Sequence, residues 1–175
     1  MVEIKSLRIL VVTARPHVAQ VLRQVLGICG VTDIAVCAHG AAALDLLRHQ
    51  VYDAVFCDQA SSHDTGRDFA KDARTAEGVL DSMIPVFLVS GGPRRRDVEA
   101  ARDRGYTDVI ARPVSAATVL RKLNSALERP RPFIAAPDFF GPDRRSSSRG
   151  QFKGRERRAR QPRKVRISPP LAPAE

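Results

Sequence analysis

Short apolar runs alternate with helical patterns five times within residues 1–128, and this alternation constrains the fold more than any other feature. The first run, residues 7–12, is mostly aliphatic, and further runs lie at about 34–38, 53–57, 85–90 and 108–111. Each run is followed by a stretch whose apolar spacing suits a helix. Strands that alternate with helices pair in parallel. The sequence therefore predicts an α/β fold with a doubly wound five-stranded parallel sheet.

Helix boundaries are marked by residues with known local preferences. Pro16 opens the first helix, whose apolar stripe comprises Val18, Val21, Leu22, Val25, Leu26 and Cys29. The following helices are expected at about 40–49, 66–76, 94–104 and 116–127. Gly105 is placed to end the fourth helix in a left-handed conformation, and Ser115 is placed to cap the fifth.

In parallel α/β sheets, functional residues gather at the carboxyl ends of the strands. Four polar residues stand at these ends in the predicted sheet: Thr13, Asp58, Ser90 and Arg112. We expect them to form one pocket.

The chain changes character after the last predicted helix. Residues 129–138 contain three prolines, and residues 141–175 hold 11 basic and 3 acidic residues, which is +8 of the total net charge of +10. The sequence predicts a domain at 1–128, a proline-rich linker at 129–140 and an arginine-rich tail at 141–175. The tail has little apolar content, so we expect it to stay disordered until it binds a polyanionic partner.

Several classes of protein are not favoured by the sequence. It has no run of 18 apolar residues, which argues against membrane insertion, and no secretory signal pattern, so we expect a cytoplasmic protein. Cys29, Cys37 and Cys57 lack metal-ligand spacing and fit buried free thiols. The histidines are scattered, and the serine clusters lack the context of a nucleophile. We predict neither an enzyme nor a bound metal or cofactor.

The pattern over residues 6–128 resembles the response-regulator receiver family. Residues 9–16 read Ile-Leu-Val-Val-Thr-Ala-Arg-Pro, where receivers read I-L-V-V-D-D-x-P. Asp58 ends the third strand, with Gly66 at the family's spacing after it. Ser90 stands at the Ser/Thr position of the fourth strand. Arg112-Pro113 replaces Lys-Pro, and Val109 stands where many receivers carry an aromatic residue. The resemblance implies a flavodoxin-like receiver fold.

The departures from the receiver pattern are chemical. Receivers hold magnesium with two acidic residues of the first loop together with the phosphorylatable aspartate. Here Thr13 and Ala14 stand at the two acidic positions, and Arg15 adds a positive charge. Magnesium needs oxygen ligands, and phosphoryl transfer needs the metal to neutralise developing charge. We predict that Asp58 is a vestigial phosphoacceptor that pairs with Arg112 or Arg15.

The tail contains an internal repeat, F-x-G-x-[DE]-R-R, at residues 139–145 and 152–158. Arginine donates two hydrogen bonds to guanine O6 and N7, and a carboxylate accepts from guanine N1–H and N2–H. A second arginine pairs with phosphate or stacks on a base. A two-fold symmetric ligand with two guanines and two phosphates, cyclic di-GMP, fits this repeat. The predicted ligand-binding residues are Asp143, Arg144, Arg145, Arg149, Phe152, Arg155, Glu156, Arg157 and Arg158.

A receiver without its magnesium acids and with an arginine-rich extension resembles the CheY-like cyclic di-GMP effectors known as Cle proteins. The resemblance implies dinucleotide binding through the tail and docking on the flagellar motor switch, which reduces motility and favours surface attachment. It also implies recruitment to the flagellated pole.

Two alternatives remain open. One is a phosphorylation-dependent single-domain response regulator. The other is a binder of nucleic acid or membrane surfaces that uses the tail as a polycation. Nucleic acid is less favoured, because the acids inside the repeat weaken generic binding to polyanions.

Overall fold

Five parallel strands form the main sheet, in the order β2-β1-β3-β4-β5. In the computed structural model of the protein, residues 3–62, 68–143 and 163–165 are described. The strand order is that of a doubly wound, flavodoxin-like sheet, which confirms the predicted fold class. The strands are β1 (Arg8–Val12), β2 (Asp33–Cys37), β3 (Ala54–Asp58), β4 (Val86–Gly91) and β5 (Asp108–Arg112).

Helices cover both faces of this sheet. They are α1 (Pro16–Ile28), α2 (Gly40–His49), α3 (Phe69–Thr75), α4 (Arg95–Asp103) and α5 (Ala116–Glu128). Alternate strand residues point to opposite faces. On one face Val11 and Phe56 join the apolar sides of α1 and α5, and on the other Leu10 and Val55 join those of α2, α3 and α4. The two faces form two buried apolar clusters.

The helix ends follow the local signals in the sequence. Pro16 is the first residue of α1, and Gly105 follows α4 with a positive φ of 98°. The Ser115 hydroxyl accepts a hydrogen bond from the Thr118 amide at 3.3 Å. α3 is shorter than the predicted 66–76, because Asp68 caps it by accepting from the Ala70 amide at 3.1 Å. A side-chain acceptor at the cap satisfies an amide that has no partner inside the helix.

A second sheet follows α5, where the sequence predicted a proline-rich linker. Its strands are antiparallel, in the order β7-β6-β8: β6 (Phe133–Ala136), β7 (Phe139–Pro142) and β8 (Arg163–Val165). The prolines do not oppose this structure. Pro137 lies in the turn between β6 and β7, and Pro142 ends an edge strand, where a missing amide donor is tolerated. Residues 141–142, which were assigned to the tail, belong to β7.

The hairpin of β6 and β7 is packed on the receiver-like domain through a buried arginine. The Phe133 side chain is 2% exposed, and the Arg74 guanidinium lies over its ring, 5.1 Å from the centroid. Arg74 donates to the carbonyls of Ser82 at 2.8 Å, Ile84 at 2.6 Å and Gly105 at 3.2 Å. Burial lowers the pKa of Arg74 to about 10. The predicted domain of residues 1–128 therefore shares part of its core with the residues that follow it.

Two glycines allow β7 to cross the start of β5 closely. A Cβ added to Gly141 would lie 3.2 Å from the Gly105 Cα atom and 2.9 Å from Cζ of Phe139. Gly141 is also the glycine of the first F-x-G-x-[DE]-R-R segment. Its small size is therefore required by packing within the protein.

We expect Gly141→Ala to lower the free energy of unfolding by about 1–3 kcal/mol, because the added methyl group overpacks this crossing. Gly27→Ala is the matched control. Nothing lies within 4 Å of a Cβ on Gly27, which is in α1, so alanine there should stabilise the helix by about 0.5–1 kcal/mol. Urea denaturation followed by circular dichroism measures both variants. Equal effects of the two changes would contradict the close approach.

Candidate functional site

The candidate site lies at the carboxyl end of the main sheet. Asp58 is the last residue of β3, Thr13 follows β1, Ser90 is the last residue but one of β4, and Arg112 ends β5. Since parallel strands end at one edge, all four residues are brought to the same end of the domain. Asp58, Thr13 and Ser90 are buried, and the Asp58 side chain has no exposed surface.

Arg15 clamps the Asp58 carboxylate from the loop after β1. Its Nε atom donates to Oδ2 at 2.7 Å and its Nη2 atom to Oδ1 at 2.5 Å. The Thr13 hydroxyl also donates to Oδ2, at 2.9 Å. Of the two partners predicted for Asp58, the structure selects Arg15. A two-pronged pair of this kind fixes both the position and the orientation of the carboxylate.

The pair keeps Asp58 ionised in spite of its burial. Burial alone raises the pKa of this carboxyl group, but the hydrogen bonds from Arg15 and Thr13 outweigh that effect, and the pKa of Asp58 is lowered. Reciprocally, the hydrogen bond to Asp58 raises the pKa of Arg15. At neutral pH the site holds a charged and compensated pair.

Two residues that the sequence analysis did not select support the site. Ser61 accepts a hydrogen bond from the Ala14 amide at 3.0 Å and so joins the loop after β1 to the turn after β3. Gln59 accepts from the Ser90 hydroxyl at 2.5 Å. Their position directly after Asp58, in a short 3-10 turn, is the signal that could have identified them.

Ser90 and Arg112 are not joined to Asp58. The Ser90 hydroxyl is directed to Gln59, and the guanidinium of Arg112 lies beside Gly91, with Nη2 at 3.1 Å from an ideal Cβ there. The Nε atom of Arg112 is buried and has no hydrogen-bond partner among the described residues. The predicted pocket therefore forms as two hydrogen-bonded groups: Arg15 and Thr13 with Asp58, and Ser90 with Gln59.

Of the residues predicted to bind cyclic di-GMP, Asp143 is described. It follows β7 directly, and its amide donates to the Pro132 carbonyl at 2.8 Å. The others lie outside the described residues: Arg144, Arg145, Arg149, Phe152, Arg155, Glu156, Arg157 and Arg158. The first four residues of the first copy of the repeat, Phe139–Pro142, form β7, and the second copy lies outside the described residues.

The fold and the aspartate at the end of β3 define a receiver, and comparison with known proteins agrees. The profile of the response regulator receiver domain family matches residues 9–124. The protein belongs to this family and is a CheY-like receiver of two-component signalling.

Individual relatives are distant. Chemotaxis protein CheY-3 of Vibrio cholerae is 26% identical over 125 residues, which cover 71% of this chain and 95% of that protein. A putative response regulator from Chloroflexus aurantiacus is 23% identical with a TM-score of 0.61, over 70% of this chain and 98% of the other. The receiver domain of sensor histidine kinase PA1611 from Pseudomonas aeruginosa was solved with a magnesium ion in its active-site cleft. It is 24% identical with a TM-score of 0.58, over 67% of this chain and 94% of the other.

The residues around Asp58 do not fit a magnesium ion. Both carboxylate oxygens of Asp58 already accept hydrogen bonds from the Arg15 guanidinium. A magnesium ion would have to displace this guanidinium from the carboxylate and would be repelled by its positive charge. Within residues 3–62, 68–143 and 163–165, no group of three or more His, Cys, Asp or Glu side chains is placed to hold a metal. Nor does any helix in these ranges have the length and apolar character needed to span a membrane.

Proposed function

We propose that this protein is a receiver-type signalling adaptor whose input is a bound ligand and not phosphorylation. The observation that carries the proposal is the pairing of Arg15 with both oxygens of Asp58. A phosphodonor must be attacked by a carboxylate oxygen, and here both oxygens are engaged by an internal cation. Thr13 and Ala14 add no carboxylate that could recruit a metal ion to the site.

Incubation of the protein with a small phosphodonor and magnesium is expected to give no labelling of Asp58. Asp58→Asn is the control for labelling at other residues. Intact-mass spectrometry after rapid quenching measures the adduct. A magnesium-dependent acyl phosphate that is present in the parent and missing from Asp58→Asn would instead support a phosphorylation-dependent response regulator. That second candidate is favoured by the position of Asp58 and Ser90 at the family's strand ends.

We further propose that the ligand is cyclic di-GMP and that the two F-x-G-x-[DE]-R-R segments read its guanines. The support is the repeat itself, with an acid retained in each copy of a strongly basic segment, and the resemblance to Cle proteins. Each copy offers a carboxylate for guanine N1–H and N2–H and arginines for O6, N7 and phosphate.

The double variant Asp143→Asn with Glu156→Gln separates guanine recognition from general attraction to anions. Both changes make the arm more positive, so a simple polycation should bind cyclic di-GMP more tightly. A tail that recognises guanine should lose affinity by a factor of about ten or more, since each charge-assisted hydrogen bond contributes roughly 1.5–3 kcal/mol. Isothermal titration calorimetry at fixed salt measures the affinity. If GTP and cyclic di-AMP compete as well as cyclic di-GMP does, the tail acts as a general binder of polyanions.

The proposed output is docking on the flagellar motor switch, with reduced motility and surface attachment as the result. Its support is the Cle resemblance, together with the chemotaxis name of one relative, CheY-3 of Vibrio cholerae. Recruitment to the flagellated pole, where this partner would be located, belongs to the same proposal.

A further inference from the structure

A cleft of about 560 Å3 lies between the hairpin of β6 and β7 and the helices α3 and α4. Its volume is within the range of roughly 300–1,000 Å3 that is usual for small-molecule sites. The hairpin passes the start of β5, since a Cβ added to Gly105 would lie 3.7 Å from the Phe140 carbonyl of β7. The cleft is therefore at the amino ends of the strands, opposite to Asp58, and it is separate from the site described above.

The walls of the cleft carry an aromatic ring and cations, the groups that contact a base and a phosphate. Phe139 of β7 is half-buried and offers a ring for stacking. Lys71 of α3 and Arg104 beside the end of α4 supply two cations, and the carboxylates of Asp103 and Asp138 also line the cleft. Arg104 donates to Asp68 at 3.1 Å and to the Ala100 carbonyl at 3.2 Å, which holds its guanidinium in place.

The arginine-rich segment starts next to this cleft. Phe139 and Phe140 line the cleft and belong to the first repeat, and Arg144 and Arg145 follow within two residues of Asp143. At the other end of the segment, Arg163 pairs with Ala135 of β6.

We propose that this cleft is the folded part of the ligand site and takes one guanine nucleotide unit of the cyclic dinucleotide. Phe139 stacks on the base and Lys71 contacts the phosphate, while the carboxylates of the repeat accept from the guanine edges. This inference rests on the proposed binding of cyclic di-GMP and assigns the receiver domain a direct part in it. A ligand held there joins the hairpin to α3 and α4, so binding acts on the receiver fold itself.

The test is isothermal titration calorimetry of the full chain with cyclic di-GMP, combined with NMR amide shifts. Lys71→Gln is expected to weaken binding about five- to tenfold, as the loss of one charge-assisted contact would. Phe139→Leu should weaken it about fivefold or more through lost stacking. Lys71→Arg keeps the cation and should bind close to the parent. Lys5→Gln, the same charge change at an exposed lysine remote from the cleft, should leave the affinity unchanged.

In the parent, the amides of Lys71, Thr75 and Ala136 should shift on addition of the ligand. Thermal unfolding of each variant distinguishes a lost contact from a lost fold, since Lys71 is exposed and its change should leave the unfolding temperature unaltered. Parent-like affinity of Lys71→Gln and Phe139→Leu, with no shifts at the cleft, would overturn this inference and leave the proposed function standing. If the parent binds no cyclic di-GMP at all, the proposed function is wrong and the cleft proposal is lost with it.

Discussion

Replacing Phe133 with alanine is expected to lower the free energy of unfolding by about 3–5 kcal/mol, the usual cost of removing a buried phenyl ring. The ring is almost fully buried, contacts Phe140 with 5.4 Å between centroids, and covers the Arg74 guanidinium. Its loss leaves a cavity beside a buried charge. In the variant, Arg74 can keep its hydrogen bonds to backbone carbonyls, but the phenyl ring that shields its guanidinium from water is missing.

Urea denaturation followed by far-ultraviolet circular dichroism measures this effect. Phe139→Ala removes a ring of the same type from the same hairpin at a half-buried position and should cost clearly less. A chain that ends at residue 128 should also be less stable than one that ends at residue 143, because it lacks β6 and β7. Equal stability of these two chains would show that the hairpin is not part of the cooperative fold.

Arg15→Ala is expected to lower the free energy of unfolding at pH 7 by about 2–3 kcal/mol. It leaves the buried Asp58 carboxylate without its cation, a change that typically costs about 3–5 kcal/mol when the pair is fully buried. The Arg15 side chain is 34% exposed, so water screens part of the interaction, and we expect the lower figure. Arg8→Ala, which breaks an exposed pair with Asp33, is the matched control and should change stability little.

The effect of Arg15→Ala should depend on pH with a defined sign. In the parent, the folded-state pKa of Asp58 is lowered, so the pair stabilises the fold above the unfolded-state pKa of about 3.9. This contribution is lost as pH falls through the folded-state pKa. In the variant, burial without the cation raises the pKa of Asp58. The stability difference between parent and variant should therefore be largest near neutral pH and shrink below about pH 4. A difference that is constant from pH 3 to pH 7 would contradict the pair's role.

The sequence was sufficient for the main sheet and for the position of the site, because both depend on local patterns. Apolar periodicity located each strand within one or two residues, and the strand ends placed Thr13 and Asp58 at one edge. The choice of Arg15 over Arg112 depended on side-chain reach in three dimensions. The sequence could not decide between them, since both arginines lie at the carboxyl ends of strands, at the same edge of the sheet.

The hairpin could not be predicted from local patterns. Its prolines dominate the composition of residues 129–140, and its strands are stabilised by residues far away in sequence, such as Arg74 and Gly105. Arg74 itself lies in a polar helix, Phe-Ala-Lys-Asp-Ala-Arg-Thr, where an arginine is usually solvated. Its burial follows from backbone carbonyls that tertiary structure alone brings together.

The pairing of Arg15 with Asp58 also determines where the energy for signalling must come from. Moving a two-state domain from 1:99 to 99:1 requires a ligand that binds the favoured state with about 5.5 kcal/mol more free energy than the other state. A phosphoryl group would first have to displace an internal counter-ion, so part of its interaction energy would be consumed before any shift in population occurred. A ligand at another surface meets no such opposition, and it shifts the populations by its full difference in affinity between the two states.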